Sequence, residues 1–212
     1  KWSELGFSST PFDWLDGYDI EKEIGRKIDV KNQNGSSSCG GQAWAYYGQV
    51  LDPEHEEKSA KFIYSQTFVG SGGSDGRTNS NLVKNKGWGS ELLTPSYVAN
   101  MPQSEAFYQK PQDITPEAFK HALSDRALSY ASVGTNVDTL AQAVRDNKGV
   151  IIGIYGKNNG TWLSMFPKPP ADHNDMWAHW VYIGKVKLIN GRKYFGFINS
   201  WGNVGENGWQ WI

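Results

Sequence analysis

The segment that decides the fold runs from Gln33 to Tyr47 and reads QNGSSSCGGQAWAYY. It contains Cys39, the only cysteine among the 212 residues of the chain. Small polar residues precede Cys39. The residues from Gln42 to Leu51 are good helix formers with apolar side chains on one face, and Pro53 follows them. The pattern predicts a thiol at or near a helix N-terminus, where unpaired N–H groups and the helix dipole favour a thiolate.

A lone cysteine such as Cys39 has two interpretations. It can be a buried structural thiol, because free cysteine is among the most buried residue types. Three serines before Cys39 and two glycines after it favour a reactive site instead, because glycine would let a substrate backbone approach closely. A reactive thiol needs a base, which the rest of the chain must supply.

The chain offers four histidines as candidates for that base. His55 lies in a charged run, His121 in a short amphipathic segment and His173 in a polar loop, which are positions typical of solvated side chains. His179 instead opens an apolar strand that continues to Ile189 among large aromatic residues. We therefore expect His179 to be the base.

A hairpin follows that strand. Asn190-Gly191 is a strong signal for a tight turn, and the returning strand leads to Asn199. A strict two-residue loop would place Asn199 and His179 on opposite faces of the hairpin. A three-residue loop or a bulge would shift the register by one residue. We predict such a shift, which would let Asn199 fix the orientation and tautomer of the imidazole.

The ordered set of these residues resembles the papain-like cysteine peptidases. The residues that carry the resemblance are Gln33 six positions before Cys39, His179 with its apolar strand and Gly184, and the run Asn-Ser-Trp-Gly that begins at Asn199. The resemblance covers nearly the whole chain from about Asp29 onward.

The resemblance implies an α+β fold with a helical N-terminal half, an antiparallel β-sheet C-terminal half and the active site in the cleft between them. We expect one domain over 1–212, with an N-terminal arm (1–28), a helical half (29–125) and a β half (126–212). Within the β half, alternation over Ala127–Val133 predicts a strand, and apolar periodicity over Asn136–Lys148 predicts a helix.

The resemblance also implies a role for each site residue. Cys39 would be the nucleophile, His179 the general base and acid, and Asn199 the residue that orients His179. Trp201 would shield the imidazole and its partner from water. Gln33, together with the backbone N–H of Cys39, would form the oxyanion hole, whose donors typically contribute about 3–4 kcal/mol each.

For substrate binding, Gly72-Gly73 resembles the glycine pair with which the family holds a substrate backbone. Trp180 and residues near Ile152 are expected to line the pocket that selects a substrate side chain. The predicted partner is a peptide or protein substrate, and no cofactor or metal is expected.

The sequence departs from the family directly after the nucleophile. Gly40 stands where the family usually has tryptophan, and Trp44 comes later. Alignment on Trp44 would put Ala43 at the nucleophile position, whereas the spacing from Gln33 to Cys39 favours an active enzyme. The departure leaves open an alternative function: a catalytically inactive, peptide-binding or structural domain of a larger protein. Acyl transfer to an acceptor other than water would use the same residues.

Two other arrangements are weaker. The segment 72–76 matches the Gly-x-Ser-x-Gly elbow of serine hydrolases, but no strand is predicted directly before it. Asp172, His173 and Asp175 have the side-chain types of metal ligands. A single histidine in a polar loop is more often solvated, so no metal site is predicted there.

Composition excludes some partners and leaves others open. The net charge of −1 gives no reason to expect nucleic acid, and the chain has no apolar run long enough to predict a membrane span. The sequence begins at Lys1, without an initiator methionine or a signal peptide. We therefore expect that a pro-segment or flanking domains are missing from this chain. A single cysteine leaves the compartment open, with secretion or excision from a larger protein as the expectations.

Overall fold

A computed structural model of the chain describes residues 11–170, 174 and 176–212. These residues form two compact units. The sheet unit comprises residues 11–30 and 131–212, and the helical unit comprises residues 31–130. All strands of the described residues lie in the sheet unit, whereas the helical unit contains most of the helices. The predicted α+β class is therefore confirmed.

The elements of the described residues are, in chain order, β1 (Tyr18–Asp19), α1 (Ile20–Glu23), α2 (Cys39–Leu51), α3 (Ala60–Thr67), α4 (Gly76–Asn85), α5 (Glu105–Tyr108), a 3₁₀ helix (Pro111–Asp113), α6 (Pro116–Ser124), α7 (Val137–Asp146), β2 (Val150–Gly156), β3 (Trp177–Ile189), β4 (Arg192–Ile198) and β5 (Trp209–Trp211).

The α-helices of the helical unit begin at local capping signals, with one exception. In α3 to α6, a Ser, Asp or Thr side chain before the helix accepts a backbone N–H of the first turn. Helix α2 differs, because the side chain of Ser38 makes no such hydrogen bond. The helix that carries Cys39 thus begins without a side-chain cap.

Helix α2 packs unusually close to its neighbours because glycines line its contact face. A Cβ atom on Gly41 would lie 2.5 Å from the carbonyl oxygen of Ala60 in α3. A Cβ atom on Gly48 would lie 2.5 Å from the indole ring of Trp88. These contacts fix α2 against the rest of the helical unit and bury most of its residues.

The sheet unit is built around the long strand β3. One edge of β3 pairs antiparallel with β2 and then with β1, and its other edge pairs with β4, which in turn pairs with β5. Apolar side chains of α7 and of β2, β3 and β4 form the core of this unit, with Val144, Val181, Ile183 and Phe197 at most 1% exposed.

The hairpin between β3 and β4 contains the predicted shift of register. Asn190 and Gly191 have φ values of 50° and 75°, as a two-residue type I′ turn requires. The strict pairing of this turn holds back to Lys185 opposite Gly196. On the N-terminal side of Lys185, farther from the turn, the register shifts by one residue, so that Ile183 pairs with Phe197. The bulge prediction is therefore confirmed, and the extra residue is Gly184.

The strand predicted over Ala127–Val133 is wrong. These residues are irregular, and Leu128 is 94% exposed. The N–H of Ala127 donates to the carbonyl of Val83 in α4. Alternating apolar residues form a strand only where another strand offers a free edge, and this stretch bonds to a helix instead.

The N-terminal segment is built into the sheet unit by a buried ion pair. The carboxylate of Glu21 lies 2.6 Å from the Nζ of Lys185 on β3 and 3.0 Å from the Nζ of Lys27, and it accepts the N–H of Ile28. Asp19 adds a second carboxylate 3.2 Å from Lys185. Among the described residues, no helix is both long and apolar enough to cross a bilayer.

We predict that Glu21→Gln destabilises the protein by about 3 kcal/mol at pH 7, because it leaves the buried Lys185 with a weaker partner. Burial opposes ionisation of Glu21, but the hydrogen bonds from Lys185, Ile28 and Lys27 outweigh it and lower the pKa from 4.5 to about 2. The wild-type pair therefore loses about 2 kcal/mol of stability as the pH falls from 4.5 towards 2. Urea denaturation at several pH values measures both effects.

The matched control is Glu23→Gln, an exposed glutamate of the same helix α1. It should leave the free energy of unfolding nearly unchanged. Equal effects of the two substitutions would contradict the prediction.

Candidate active site

Cys39 is the first residue of α2 and is 8% exposed. Its Sγ lies 3.9 Å from the carbonyl oxygen of Ser37. The hydroxyl of Ser38 contacts the hydroxyl of Ser36 at 2.8 Å and accepts a hydrogen bond from Gln42, instead of capping the helix. The thiol thus occupies an uncapped helix N-terminus, where the local field favours the thiolate.

Gln33 lies in the turn that leads to Cys39. Asn34 and Gly35 adopt left-handed conformations, with φ values of 51° and 77°, which turn the chain back on itself. The N–H of Ser36 then donates to the carbonyl of Gln33, and the amide Nε2 of Gln33 donates to the carbonyl of Ser36 at 2.5 Å. The turn therefore holds a buried amide donor in the loop before the thiol.

A hydrogen-bond network connects this loop to the glycine-rich loop at 70–76. Glu105 accepts the N–H of Ser37 with one carboxylate oxygen and the hydroxyl of Tyr64 with the other, both at 2.5 Å. The hydroxyl of Tyr64 accepts the N–H of Gly73. Burial and the hydrogen bond to Glu105 raise the pKa of Tyr64 well above its usual value. Glu105 thus positions the backbone two residues before Cys39, and sequence reasoning missed it because no local pattern marks it.

Gly72 and Gly73, predicted to hold a substrate backbone, lie beside that loop. A Cβ atom on Gly72 would lie 2.7 Å from the hydroxyl of Ser37, and the φ values of 153° and 85° also require glycine. The N–H groups of Gly72 and Gly73 donate to Val69 and Tyr64. Among the described residues, a Cβ atom on Gly73 would meet no other atom within 4 Å, so this position is open on its side-chain side.

The two glycines after Cys39 do not serve the role that the sequence suggested. A Cβ atom on Gly40 would overlap the hydroxyl of Ser74 and lie 2.8 Å from the amide of Asn79. Gly40 and Gly41 therefore admit neighbouring parts of the same unit, and the expectation that they admit a substrate backbone is wrong. The space next to Gly40 is filled, so this position cannot hold the tryptophan usual in the family. Ser74 follows no strand, which rejects the serine-hydrolase elbow.

The sheet unit brings His179 and Asn199 together. The Nε2 of His179 lies 2.9 Å from the Oδ1 of Asn199. The backbone N–H of Ser200 donates to the same Oδ1 at 2.8 Å. Because a backbone N–H can only donate, this contact identifies Oδ1 as the acceptor, so Nε2 of His179 carries a proton. The proton-accepting lone pair of the neutral ring then lies on Nδ1.

Aromatic rings enclose the imidazole. Trp201 stacks on His179 with ring centroids 4.7 Å apart and an interplanar angle of 29°, and Trp177 meets the ring edge-on. Burial lowers the pKa of His179 from 6.5 to about 4, although the hydrogen bond with Asn199 acts in the opposite direction. The ring is therefore neutral at pH 7 unless an anion stabilises its charged form.

Trp180 and Ile152 lie on opposite faces of the sheet. Ile152 pairs with Val181, which shares the face of His179, whereas Trp180 pairs with Gly153. A Cβ atom on Gly153 would touch the ring of Trp180 at 3.3 Å. Because successive residues of a strand alternate between faces, Ile152 itself lies on the opposite face from Trp180, whereas its neighbour Gly153 lies beside the Trp180 ring. A role for Trp180 in substrate binding stays a prediction.

The alternative metal ligands Asp172, His173 and Asp175 lie outside the described residues. Within the part of the chain that the structure describes, no cluster of three or more His, Cys, Asp or Glu side chains could hold a metal ion.

Comparisons with known proteins identify the fold. No protein-family model matches the chain, and no curated protein matches it in sequence. Among solved structures, it is similar to xylellain, a cysteine protease from Xylella fastidiosa, with a TM-score of 0.75 and 20% identity over 97% of this chain and 84% of that chain. It is also similar to digestive procathepsin L 3 of Tenebrio molitor larval midgut, with a TM-score of 0.69 and 15% identity over 100% and 68% of the two chains.

A third similar structure is proCathepsin B S9 from Trypanosoma congolense, with a TM-score of 0.66 and 14% identity over 95% of this chain and 72% of that chain. At these identities the similarity shows the fold alone. The chain has the fold of the papain-like cysteine peptidases, as the resemblance of its sequence implied.

We predict that Gly40→Ala lowers the free energy of unfolding by about 1–3 kcal/mol, because its Cβ atom overlaps the hydroxyl of Ser74. The loss should be smaller in a Ser74→Ala background, since part of the overlap is removed. Urea denaturation of the two single variants and the double variant measures this coupling.

The control replaces Gly41, whose Cβ atom meets the carbonyl of Ala60 rather than Ser74. Gly41→Ala and Ser74→Ala should therefore be additive. Additivity of Gly40→Ala with Ser74→Ala would contradict the predicted packing.

We also predict that the buried neutral His179 makes stability depend on pH. Because the pKa is about 4 in the folded state and 6.5 as the ordinary value, the unfolded chain binds the proton first as the pH falls. The free energy of unfolding should drop by about 2 kcal/mol between pH 6.5 and pH 5. The measurement is urea denaturation in a Cys39→Ala background, so that no thiolate contributes.

His179→Gln should remove this part of the pH dependence. The control His55→Asn changes a histidine with a φ of 56°, a conformation that asparagine tolerates, and should keep the dependence. An unchanged slope in His179→Gln would show that His179 does not titrate as predicted.

Proposed function

We propose that the chain is a cysteine peptidase that hydrolyses peptide bonds through a thioester acyl-enzyme. The observation that carries the proposal is the buried hydrogen bond between His179 and Asn199, which leaves the basic lone pair on Nδ1. It is supported by the position of Cys39 at an uncapped helix N-terminus and by the fold shared with cysteine proteases.

In the proposed mechanism, Nδ1 of His179 takes the proton of the Cys39 thiol, and the thiolate attacks the peptide carbonyl carbon. The amide of Gln33 and the N–H of Cys39 donate hydrogen bonds to the resulting oxyanion. The imidazolium then gives its proton to the leaving amine as the C–N bond breaks. His179 next removes a proton from water, which attacks the thioester and releases the carboxylic acid and the thiol.

The pKa of His179 determines when this mechanism works. A ring with a pKa of about 4 is neutral at pH 7 and has a free lone pair, but it is a weak proton acceptor on its own. A thiolate near Nδ1 would stabilise the imidazolium, and the helix N-terminus would stabilise the thiolate. We therefore propose that Cys39 and His179 titrate as a coupled pair, each supplying the countercharge that the other needs.

Substrate binding is part of the proposal. Gly72 and Gly73 present a bare backbone beside the loop of Cys39, and among the described residues Gly73 is open on its side-chain side, as a platform for an extended peptide requires. Trp180 would contact a substrate side chain, and Trp201 would keep water from His179. Two of the matched structures are named as procathepsins, so the proposal includes a pro-segment or flanking domains outside this chain.

We predict that Cys39→Ala abolishes hydrolysis of a mixed peptide library, because it removes the nucleophile. His179→Ala should lower the rate by at least about 10²–10⁴-fold, the usual contribution of a general base. Asn199→Ala should keep partial activity, because the base remains but loses its orientation. Mass spectrometry of the library measures cleavage, and iodoacetamide or an epoxysuccinyl inhibitor should label Cys39.

The control His55→Asn should leave cleavage unchanged. The pH dependence of alkylation provides a second readout: the half-maximal rate should move to higher pH in His179→Ala, towards the ordinary thiol pKa of about 8.5. No labelling of Cys39, or undiminished hydrolysis in Cys39→Ala, would refute the peptidase and favour an inactive peptide-binding domain. Faster product formation with added amines would indicate acyl transfer.

A further inference from the structure

We propose that Gln210 is a positioning residue that fixes the amide of Asn199 and, through it, the tautomer of His179. Its catalytic meaning rests on the proposed peptidase function, whereas its effect on the tautomer of His179 does not. Gln210 is the middle residue of β5 and is fully buried.

The orientation of the Gln210 amide follows from its surroundings. Its Nε2 donates to the carbonyl of Trp162 at 2.8 Å and to the carbonyl of Ser164 at 2.6 Å. Carbonyl oxygens can only accept, so the atom that faces them must be the NH₂ group. The Oε1 of Gln210 is therefore an acceptor, and it receives a hydrogen bond from Nδ2 of Asn199 at 2.7 Å.

This contact fixes the amide of Asn199. With Nδ2 bound to Gln210, Oδ1 is directed at Nε2 of His179 and at the N–H of Ser200. An exchange of the two amide atoms would place Oδ1 against the Oε1 of Gln210. It would also place the NH₂ group against the backbone N–H of Ser200. Each of these buried contacts is unfavourable, so Gln210 and Ser200 together allow one orientation.

The orientation of Asn199 determines where His179 is basic. An acceptor at Nε2 requires the Nε2–H tautomer, which leaves the lone pair on Nδ1. A donor at Nε2 would favour the opposite tautomer, in which Nδ1 carries the proton and cannot accept another. Gln210 therefore acts on the reacting nitrogen from two hydrogen bonds away.

The fold suggests that the side chain of Gln210 is not needed to hold its strand. The backbone of β5 pairs with β4, with Gln210 opposite Phe197. The N–H of Trp211 also donates to the carbonyl of Met165. Because these bonds involve only backbone atoms, replacement of the Gln210 side chain should leave β5 in place.

The test uses two substitutions and one control. Gln210→Leu keeps a similar volume and removes the amide. Gln210→Glu can copy the amide only when it is protonated, since its O–H can then donate to a carbonyl while its other oxygen accepts from Asn199. Its ionised form would direct negative oxygens at the carbonyls of Trp162 and Ser164. The control Gln142→Leu removes a buried glutamine of α7 that bonds to Asp146 in its own helix.

Two measurements are made on the whole chain: kcat and KM for a cleaved peptide across pH, and the ¹⁵N shifts of the His179 ring. We expect Gln210→Leu to lower kcat by roughly 10- to 100-fold with little change in KM, the range typical for loss of an outer hydrogen-bond partner of a metal-bound histidine. Its His179 ring should populate both tautomers. Relative to wild type, Gln210→Glu should recover kcat and the Nε2–H tautomer as the pH falls.

The control should retain the wild-type kcat and the wild-type tautomer. Wild-type kcat and a single tautomer in folded Gln210→Leu would overturn the inference, as would the absence of any recovery of Gln210→Glu at acid pH. If Gln210→Leu does not fold, the pH series of Gln210→Glu decides. If the wild-type chain cleaves no peptide, the proposed function fails, and the ring shifts of the variants still decide the role of Gln210.

Discussion

The candidate site depends on the hydrogen bond between His179 and Asn199, and that bond depends on a bulge of one residue. The two-residue turn at Asn190 and Gly191 would by itself place the two side chains on opposite faces of the hairpin. The bulge at Gly184 lies between His179 and the turn, and it shifts the register so that the two side chains share a face. A Cβ atom on Gly184 would lie 2.6 Å from the side chain of Ile20, so the bulge also requires glycine for packing.

Local signals made much of this arrangement predictable from sequence. The Asn-Gly turn, the helix that starts at Cys39 and the buried strands are encoded within a few residues of where they occur. The bulge followed from a chemical requirement, because Asn199 can orient His179 only on the same face. The resemblance to the papain-like peptidases fixed the fold class, which the solved structures confirm.

The features that could not be predicted depend on distant partners. The glycine at position 40 is explained by Ser74 and Asn79, and Ala127 bonds to a helix where its neighbours suggested a strand. Gln210 lies between two tryptophans, Trp209 and Trp211. Strand alternation predicts only that its side chain lies on the opposite face of β5 from theirs, not which polar groups it meets there. Sequence periodicity identifies which residues are buried, but not which polar groups meet inside the unit.

Burial of the imidazole links stability to reactivity. Desolvation lowers the pKa of His179 and keeps a lone pair on the ring, and the polar network decides on which nitrogen it lies. The described contacts of this network pair neutral donors with neutral acceptors, so these contacts order the ring without placing a charge beside it. A carboxylate in place of Asn199 would raise the pKa of the ring and favour imidazolium without a thiolate. An amide at this position therefore suits the proposed mechanism, in which His179 becomes positively charged only when the Cys39 thiol becomes negative.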